Sequence, residues 1–308
     1  MKLTFLGTAA GEGYPGLWCD CKNCRYAREH GGKNVRENSC AVLDGDVLLD
    51  LNMTAFSQAR RFGVDLRAAR VLLVTHAHAD HFTPQHLYWR RMPQGADALT
   101  WERQHDVGAP RFTRLPRLHI AGPRYALSAL REQEERGGVP ASQAGNGDAA
   151  CWTDAAGDMD FTVVRAGERL TFPDVKDLAV TPIRALHGPA EDFTFNYVIE
   201  RGGRTLLYAL DTGGYDDEMR AALSRFRFDA VVLEGTCGLT RRDPGGHMNA
   251  QKDRAMARYL EDHGLLSVGA RVYLSHLSPH WAPPHDAYAP MMAAEGMTVA
   301  YDGMTVRV

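Results

Sequence analysis

The sequence has no excess of charge of either sign. Its 308 residues carry 35 Lys and Arg against 38 Asp and Glu, a formal net charge of −3. Proteins that grip nucleic-acid polymers or membrane surfaces by charge show a basic patch or arm, so neither partner is expected here. No apolar run approaches the ~20 residues of a membrane span. The opening Met1-Lys2-Leu3-Thr4-Phe5-Leu6-Gly7 has too short an apolar stretch for a signal peptide and no cleavage site behind it, so a cytoplasmic location is expected. Short-period repeats and low-complexity tracts are also missing. Only six cysteines are present, and three crowd into Cys19, Cys21 and Cys24. In a reducing compartment such crowding reads as metal binding rather than disulfides. What remains is ordinary for a globular protein. Hydrophobic residues make up 44% and charged residues 24%, enough to bury a large core.

Against that plain background one stretch stands out: Val71-Leu72-Leu73-Val74-Thr75-His76-Ala77-His78-Ala79-Asp80-His81. The apolar run reads as a buried strand. It ends in three histidines and an aspartate spaced H-x-H-x-D-H. His and Asp are costly to bury unless they are paired or hold a metal. His76 and His78 share a face if the chain stays extended, whereas the adjacent Asp80 and His81 point in different directions. Two neighbouring metal ions suit that geometry better than one.

The rest of the chain mixes strands and helices in both halves. Residues 2–6 read as a strand running into a loop rich in glycine, Gly7 to Gly16, which lacks the Gly-Lys-Ser/Thr of a phosphate loop and reads as a turn beside the active site. In the spacing C-x-C-x-x-C, Cys19, Cys21 and Cys24 place three thiols within one turn. Zinc thiolate sites use such clusters with a fourth ligand from elsewhere. A redox pair or three free thiols are the other readings. Strands at 39–43 and 46–51 flank the hairpin signal Asp44-Gly45. A helix at 53–62, the strand at 70–75 and a helix at 85–92 follow. Periodicity dissolves from 93 to 116, where Trp101, His105, Arg111 and Arg114 are scattered behind Trp89, and this reads as an insertion that shapes the substrate site, as a cap or a homodimer contact. A strand at 117–121, a helix at 123–136 and a polar loop at 142–157 come next, so a second insertion is placed near 131–157. Strands are expected at 160–165, 177–184, 194–200, 204–210, 229–234 and 270–275, and helices at 215–226 and from Asn249, its N-cap, to His263. Residues 297–301 and 304–308 around Asp302-Gly303 read as a closing hairpin. The whole suits one domain of two sheets packed face to face with helices outside.

Three more apolar runs end at once in a metal-ligand type: residues 177–186 at His187, 206–210 at Asp211, and 272–275 at His276. One such residue is more often structural, but their repetition beside the histidine motif is informative.

Together His76, His78, Asp80, His81, His187, Asp211 and His276 resemble the metal-binding pattern of the metallo-β-lactamase superfamily. The resemblance implies an α+β fold, a four-layer αββα sandwich, with a dinuclear centre at one edge. His76, His78 and His187 would hold one divalent metal, and Asp80, His81 and His276 the other, with Asp211 bridging; zinc and manganese both suit the set. The opening residues 3–11, the cluster from Trp18 to Cys24 and the ending Tyr301-Asp302-Gly303-Met304 resemble the PhnP-type phosphoribosyl cyclic phosphodiesterases of phosphonate breakdown. That likeness implies hydrolysis of a small cyclic phosphate, such as a phosphoribosyl 1,2-cyclic phosphate or a 2′,3′-cyclic nucleotide, by hydroxide that the two metals make available. His247 and Asp80 would be the catalytic side chains, His247 as general acid. It further implies a structural zinc on Cys19, Cys21, Cys24 and His280, although Pro279 lengthens the family spacing by one residue. Asp50, at a strand end, is a candidate to orient a ligand histidine.

Other readings compete. The sequence is also similar to proteins of pyrroloquinoline quinone synthesis, which would make it a non-catalytic biosynthesis protein. A tRNA-processing enzyme of the ribonuclease Z type is disfavoured by the acidic balance. Hydrolysis of another ester, a thioester, a lactone or a β-lactam fits the same centre, because a fold does not set its substrate.

Overall fold

Alternation along the strands decides the architecture. The structure, a computed structural model, describes residues 1–91, 115–137, 151–154, 157–243 and 245–308. A first sheet is built from β1 (Lys2–Gly7), β2 (Cys40–Leu43), β3 (Val47–Leu49), β4 (Val71–Leu73), β5 (Leu118–Gly122), β6 (Cys151–Thr153), β7 (Met159–Val163) and β15 (Thr305–Arg307), in the order β15-β1-β2-β3-β4-β5-β7-β6. A second contains β8 (Leu170–Thr171), β9 (Leu178–Arg184), β10 (Phe195–Arg201), β11 (Arg204–Ala209), β12 (Phe228–Glu234), β13 (Leu266–Ser275) and β14 (Met297–Val299), in the order β14-β13-β12-β11-β10-β9-β8.

Successive side chains of a strand point to opposite faces. Leu3, Phe5, Leu43, Leu49, Val71 and Leu73 from one sheet therefore meet Val180, Tyr197, Ile199, Leu206, Tyr208 and Val232 from the other in a single inner core. The alternate residues serve the outer faces. Leu48, Leu72 and Ile120 pack under α2 (Ala55–Phe62), α3 (His86–Arg91) and α4 (Arg124–Glu135), while Leu207, Val231 and Leu274 pack under α5 (Asp217–Leu223), α6 (Ala250–Asp262) and α7 (His285–Ala293). Both faces of each sheet are buried, which is why the strands read as near-continuous apolar runs. The result is the expected four-layer sandwich.

Parallel pairing sends the functional strand ends to one edge. β3 pairs parallel with β4, and β11, β12 and β13 pair parallel in turn; β9 is antiparallel to β10, which is antiparallel to β11. The C-terminal ends of β3, β4, β9, β11, β12 and β13 thus share an edge.

Several expectations need correction. Residues 297–308 do not form a hairpin. Ala300 N–H still bonds to Leu274 O beside β13, whereas Met304 O accepts from Phe5 and Gly303 donates to Phe5 O. The Asp302-Gly303 turn is real, but it carries the chain from one sheet to the other. Residues 151–153 of the expected loop are a strand on the edge of the first sheet, antiparallel to β7. Two α-helices escape the sequence reading: α1 (Lys22–His30), which is capped by Cys21 and contains Cys24, and α7, which contains Pro290. The first insertion up to residue 114, and residues 138–150 of the second, lie outside the described residues. Among the described residues no helix is long and apolar enough to cross a membrane.

The loop after β1 is pressed against the segment before β2. A Cβ on Gly7 would sit 2.0 Å from Asn38 O and 2.8 Å from Glu37 O, both backbone atoms. Gly7→Ala is expected to destabilise the protein by about 2 kcal/mol or more, read as a lower urea midpoint with unchanged slope.

Candidate metal centre

Each strand at the common edge delivers one polar residue where its ladder ends. β3 ends at Asp50, β4 at Thr75 and His76, β9 at His187, β11 at Asp211, β12 at Glu234 and β13 at His276. Asp50, Asp211 and His276 have φ of 64°, 49° and 61°, a left-handed conformation uncommon for such residues. The turn at each of these ends breaks the strand direction and re-aims the side chain, and strain of this kind collects at functional sites.

The donors converge in overlapping groups. His76, His78 and His187 form one, Asp80, His81 and His276 another, and Asp211 joins His76 and His81 between them, with ligand atoms inside 4.8 Å of one another in each group. His76 Nε2 lies 2.8 Å from His78 Nδ1, which lies 3.3 Å from His187 Nε2. Asp211 Oδ2 is 2.8 Å from His81 Nε2 and 3.3 Å from His76 Nε2. Asp80 Oδ2 stands 3.5 Å from both His81 Nε2 and His276 Nε2. Gly11, in the glycine-rich loop, lies against Asp80, where an added Cβ would come within 3.2 Å of Oδ2. That loop does pass beside the site.

The far sides of the His81, His187 and His276 rings are fixed by hydrogen bonds. Buried Asp50 accepts from Thr75 N–H at 2.7 Å and from His81 Nδ1 at 2.8 Å. His187 Nδ1 donates to Gly246 O at 2.9 Å. His276 Nδ1 lies 2.8 Å from Thr236 Oγ1, whose hydroxyl donates to Glu234. A carbonyl or carboxylate only accepts, so each Nδ1 of His81 and His187 carries the proton and each Nε2 faces inward. His81 Nε2 and His276 Nε2 then meet at 3.1 Å. Two ring nitrogens can face each other so closely only with a proton or a cation between them.

Charge favours the same occupant. Burial pushes His76 well below its ordinary value. Burial also acts to lower His81, yet Asp211, Asp80 and Asp50 lift it well above. Burial would raise the Asp211 carboxyl, but His276 and His81 hold it well below the usual range. The pocket thus attracts positive charge, and one Asp211 oxygen, Oδ1, is buried without a hydrogen bond. The His and Asp clusters fit a dinuclear centre of divalent metals, since these are the donor types such ions take.

His247 stands beside this group. Its Nδ1 lies 3.1 Å from Glu234 Oε2 and 3.5 Å from Asp211 Oδ1. Burial acts to lower it, and the hydrogen bond and charge of Glu234 raise it to about 9. Glu234, fully buried, also accepts from Met248 N–H at 2.5 Å. Sequence reasoning missed Glu234, Thr236 and Thr75. An acidic residue closing the apolar run 228–234 was the available signal, of the same kind that picked out Asp211.

The cysteine cluster forms as expected, with the three sulfurs within 4.8 Å of one another. Sγ of Cys24 accepts from Gly16 N–H at 3.3 Å, and burial raises its thiol to about 12. Asn23 Nδ2 ties the loop to Pro279 O at 2.9 Å. His280 is not where the sequence places it. Its Nδ1 faces Glu12 Oε1 at 3.3 Å, the side chain is half exposed, and no His, Asp or Glu among the described residues joins all three sulfurs within that radius. Glu12, which also accepts from Ser278, competes for the ring.

The beta-lactamase superfamily domain matches residues 41–277, and the chain belongs to that superfamily. No curated protein sequence matches it. Among solved structures it is similar to a diphosphatase of the PhnP family, at 20% identity and a TM-score of 0.67 over 99% of this chain and 96% of that one. It is also similar to zinc-bound PqqB from Methylobacterium extorquens, at 21% identity and a TM-score of 0.71 over 100% of both chains. The short form of human tRNase Z matches at 18% identity and a TM-score of 0.62 over 100% of this chain and 99% of that one. At these identities the likeness shows the fold.

Asp50 touches no inward-facing donor, yet it orients His81. Asp50→Ala is expected to weaken metal uptake ~10–100-fold, measured by competition with a chromophoric chelator.

Proposed function

We propose that the protein is a metal-dependent phosphodiesterase that hydrolyses a small cyclic phosphate. The observation that carries this reading is the pairing of two donor groups that share Asp211 with a histidine, His247, braced on a buried glutamate beside them. His76, His78 and His187 would hold one metal and Asp80, His81 and His276 the other, with Asp211 between. Bound there, two divalent ions would lower the pKa of water and offset the charge of a phosphoryl group.

The chain's own residues do the rest. Asp50, Thr236 and Gly246 O hold the ligand rings in orientation. Glu234 fixes His247 through Nδ1, and among the described residues Nε2 has no hydrogen-bond partner. That nitrogen is left to donate to the departing oxygen of the phosphodiester, and a general acid of this kind contributes ~10²–10⁴-fold to the rate. Two of the three relatives named above carry phosphoryl chemistry in their names, which favours this reading over an ester or lactone. A net charge of −3 favours a small substrate over tRNA. A zinc on Cys19, Cys21 and Cys24 belongs to the same proposal. Its fourth ligand is His280 only if that ring leaves Glu12.

The reading is tested by counting metals per chain and assaying bis-p-nitrophenyl phosphate, a ribose 1,2-cyclic phosphate and a 2′,3′-cyclic nucleotide beside a thioester and a lactone. Turnover of a cyclic phosphate supports it, and turnover of the thioester or lactone alone overturns it. His247→Ala should lower turnover of the cyclic phosphate by ~10²–10⁴-fold with metal content unchanged; wild-type turnover removes His247 from the mechanism. Cys19→Ser should lose one zinc per chain and lower the melting temperature while the other metals stay. Unchanged zinc content would sink the thiolate site.

A further inference from the structure

The loop that carries His187 joins β9 to β10 and has no regular structure of its own. Its near end is held to the second sheet, through Leu186 N–H to Thr212 Oγ1 at 3.1 Å and Gly213 N–H to Leu186 O at 2.8 Å. Its far end is held by backbone bonds, Ala185 N–H to Thr194 O at 3.1 Å and Phe195 N–H to Thr75 O at 3.0 Å, and by the packing of one side chain. Phe193 is buried with its ring centroid 5.3 Å from that of His78 and 6.0 Å from that of His76. The ring lies folded back on the start of the same loop. A Cβ on Gly188, whose φ is +88°, would fall 2.0 Å from Phe193 Cδ1, so only glycine lets the residue after His187 approach the ring so closely.

The other face of Phe193 meets a different layer of the sandwich. Tyr125, at the start of α4 on the outside of the first sheet, has its ring centroid 4.9 Å from that of Phe193. Its neighbour Arg124 lies over the Tyr125 ring at 4.5 Å and clasps Asp192, with Nε to Oδ2 at 2.5 Å and a second guanidinium nitrogen to Oδ1 at 3.2 Å. An exposed ion pair alone contributes little to stability. Here it closes a chain of contacts that runs from α4 through Tyr125 and Phe193 to the rings of His76 and His78, and through Gly188 to His187.

We propose that Arg124, Tyr125, Phe193 and Gly188 form a positioning clasp that sets His187 against His76 and His78. The capacity of the three-histidine half of the site to hold its metal is then governed from α4, while the half formed by Asp80, His81 and His276 is not. None of the four clasp residues belongs to the donor groups, so the clasp acts through the rings it holds. The proposal rests on the dinuclear reading above.

The two halves are separated by titrating metal-free protein with cobalt(II), following the visible spectrum against a competing chelator, and recording the melting temperature of the metal-free form. Phe193→Ala should keep one of the two dinuclear-site ions at wild-type affinity and bind the other at least ten-fold more weakly. Phe193→Leu should recover most of that loss. Arg124→Ala, a surface change that leaves the core intact, should weaken the same single ion about three-fold or more without altering the melting temperature of the metal-free protein. Wild-type affinity for both ions in Phe193→Ala and Arg124→Ala overturns the clasp, and so does equal weakening of both ions. If the unaltered protein takes up no cobalt at the histidine and aspartate cluster, the dinuclear reading itself fails, and the clasp falls with it for that separate reason.

Discussion

Burying three imidazoles, those of His76, His81 and His276, with several carboxylates at one sheet edge is the constraint on which the rest of the site depends. Water is excluded from His76, His81, Asp50, Asp211 and Glu234, and an unpartnered charge in such a place is costly. The fold meets the cost from outside inward. Asp50 accepts from the Thr75 backbone and from His81, Glu234 from the Met248 backbone and from His247, and Thr236 links Glu234 to His276. With the outer nitrogens engaged, the inner ones can only face each other, and a cation among them relieves what would otherwise be repulsion. The same logic accounts for the left-handed backbone at Asp50, Asp211 and His276. Local strain there is the condition for aiming three side chains into one space.

The parts legible in the sequence were those whose signal is local. The motif from His76 to His81 is contiguous, and an apolar run that stops at a ligand type marks a strand end whichever sheet it joins. Asp50, Asp211 and His276 were visible for that reason. Glu234 was less so, because its function depends on the segment 245–248 folding back to place Met248 N–H and His247 on its two oxygens. The residues 302–303 show the opposite case. Their turn chemistry was read correctly, but which strands a turn connects is a tertiary matter, and here Phe5 and Leu274 compete for the two flanks. Helix α7 contains Pro290, a residue that local propensity counts against a helix interior. Tyr288 and Met292 of the same helix are fully buried under the second sheet, so packing outweighs the local penalty.

The cysteine loop shows how a spacing argument can be half right. Three thiols do gather, and Asn23 separately binds the segment after His276. What spacing cannot weigh is competition for the fourth group. Glu12 lies between, bonded to Ser278 and facing His280. A carboxylate is a strong acceptor for an imidazole N–H, and a thiolate-held zinc is a stronger claimant on the ring's lone pair.

The site also explains why one scaffold can carry unlike chemistries. Its donors and their outer hydrogen bonds come from strand ends, which the two sheets hold rigidly in register. Groups at the rim of the site that are not assigned as donors come from connections, His247 from the segment between β12 and α6 and Phe193 from the β9–β10 loop. Changing a connection alters what is recognised without disturbing the sheets that place the donors. In this chain the connection carrying His247 is bound to Gly213 through Lys252, whose Nζ donates to Gly213 O at 2.5 Å and pairs with Asp243 at 2.7 Å. The first turn of α6, five residues beyond His247, is therefore anchored two residues beyond Asp211, which ties the two segments together.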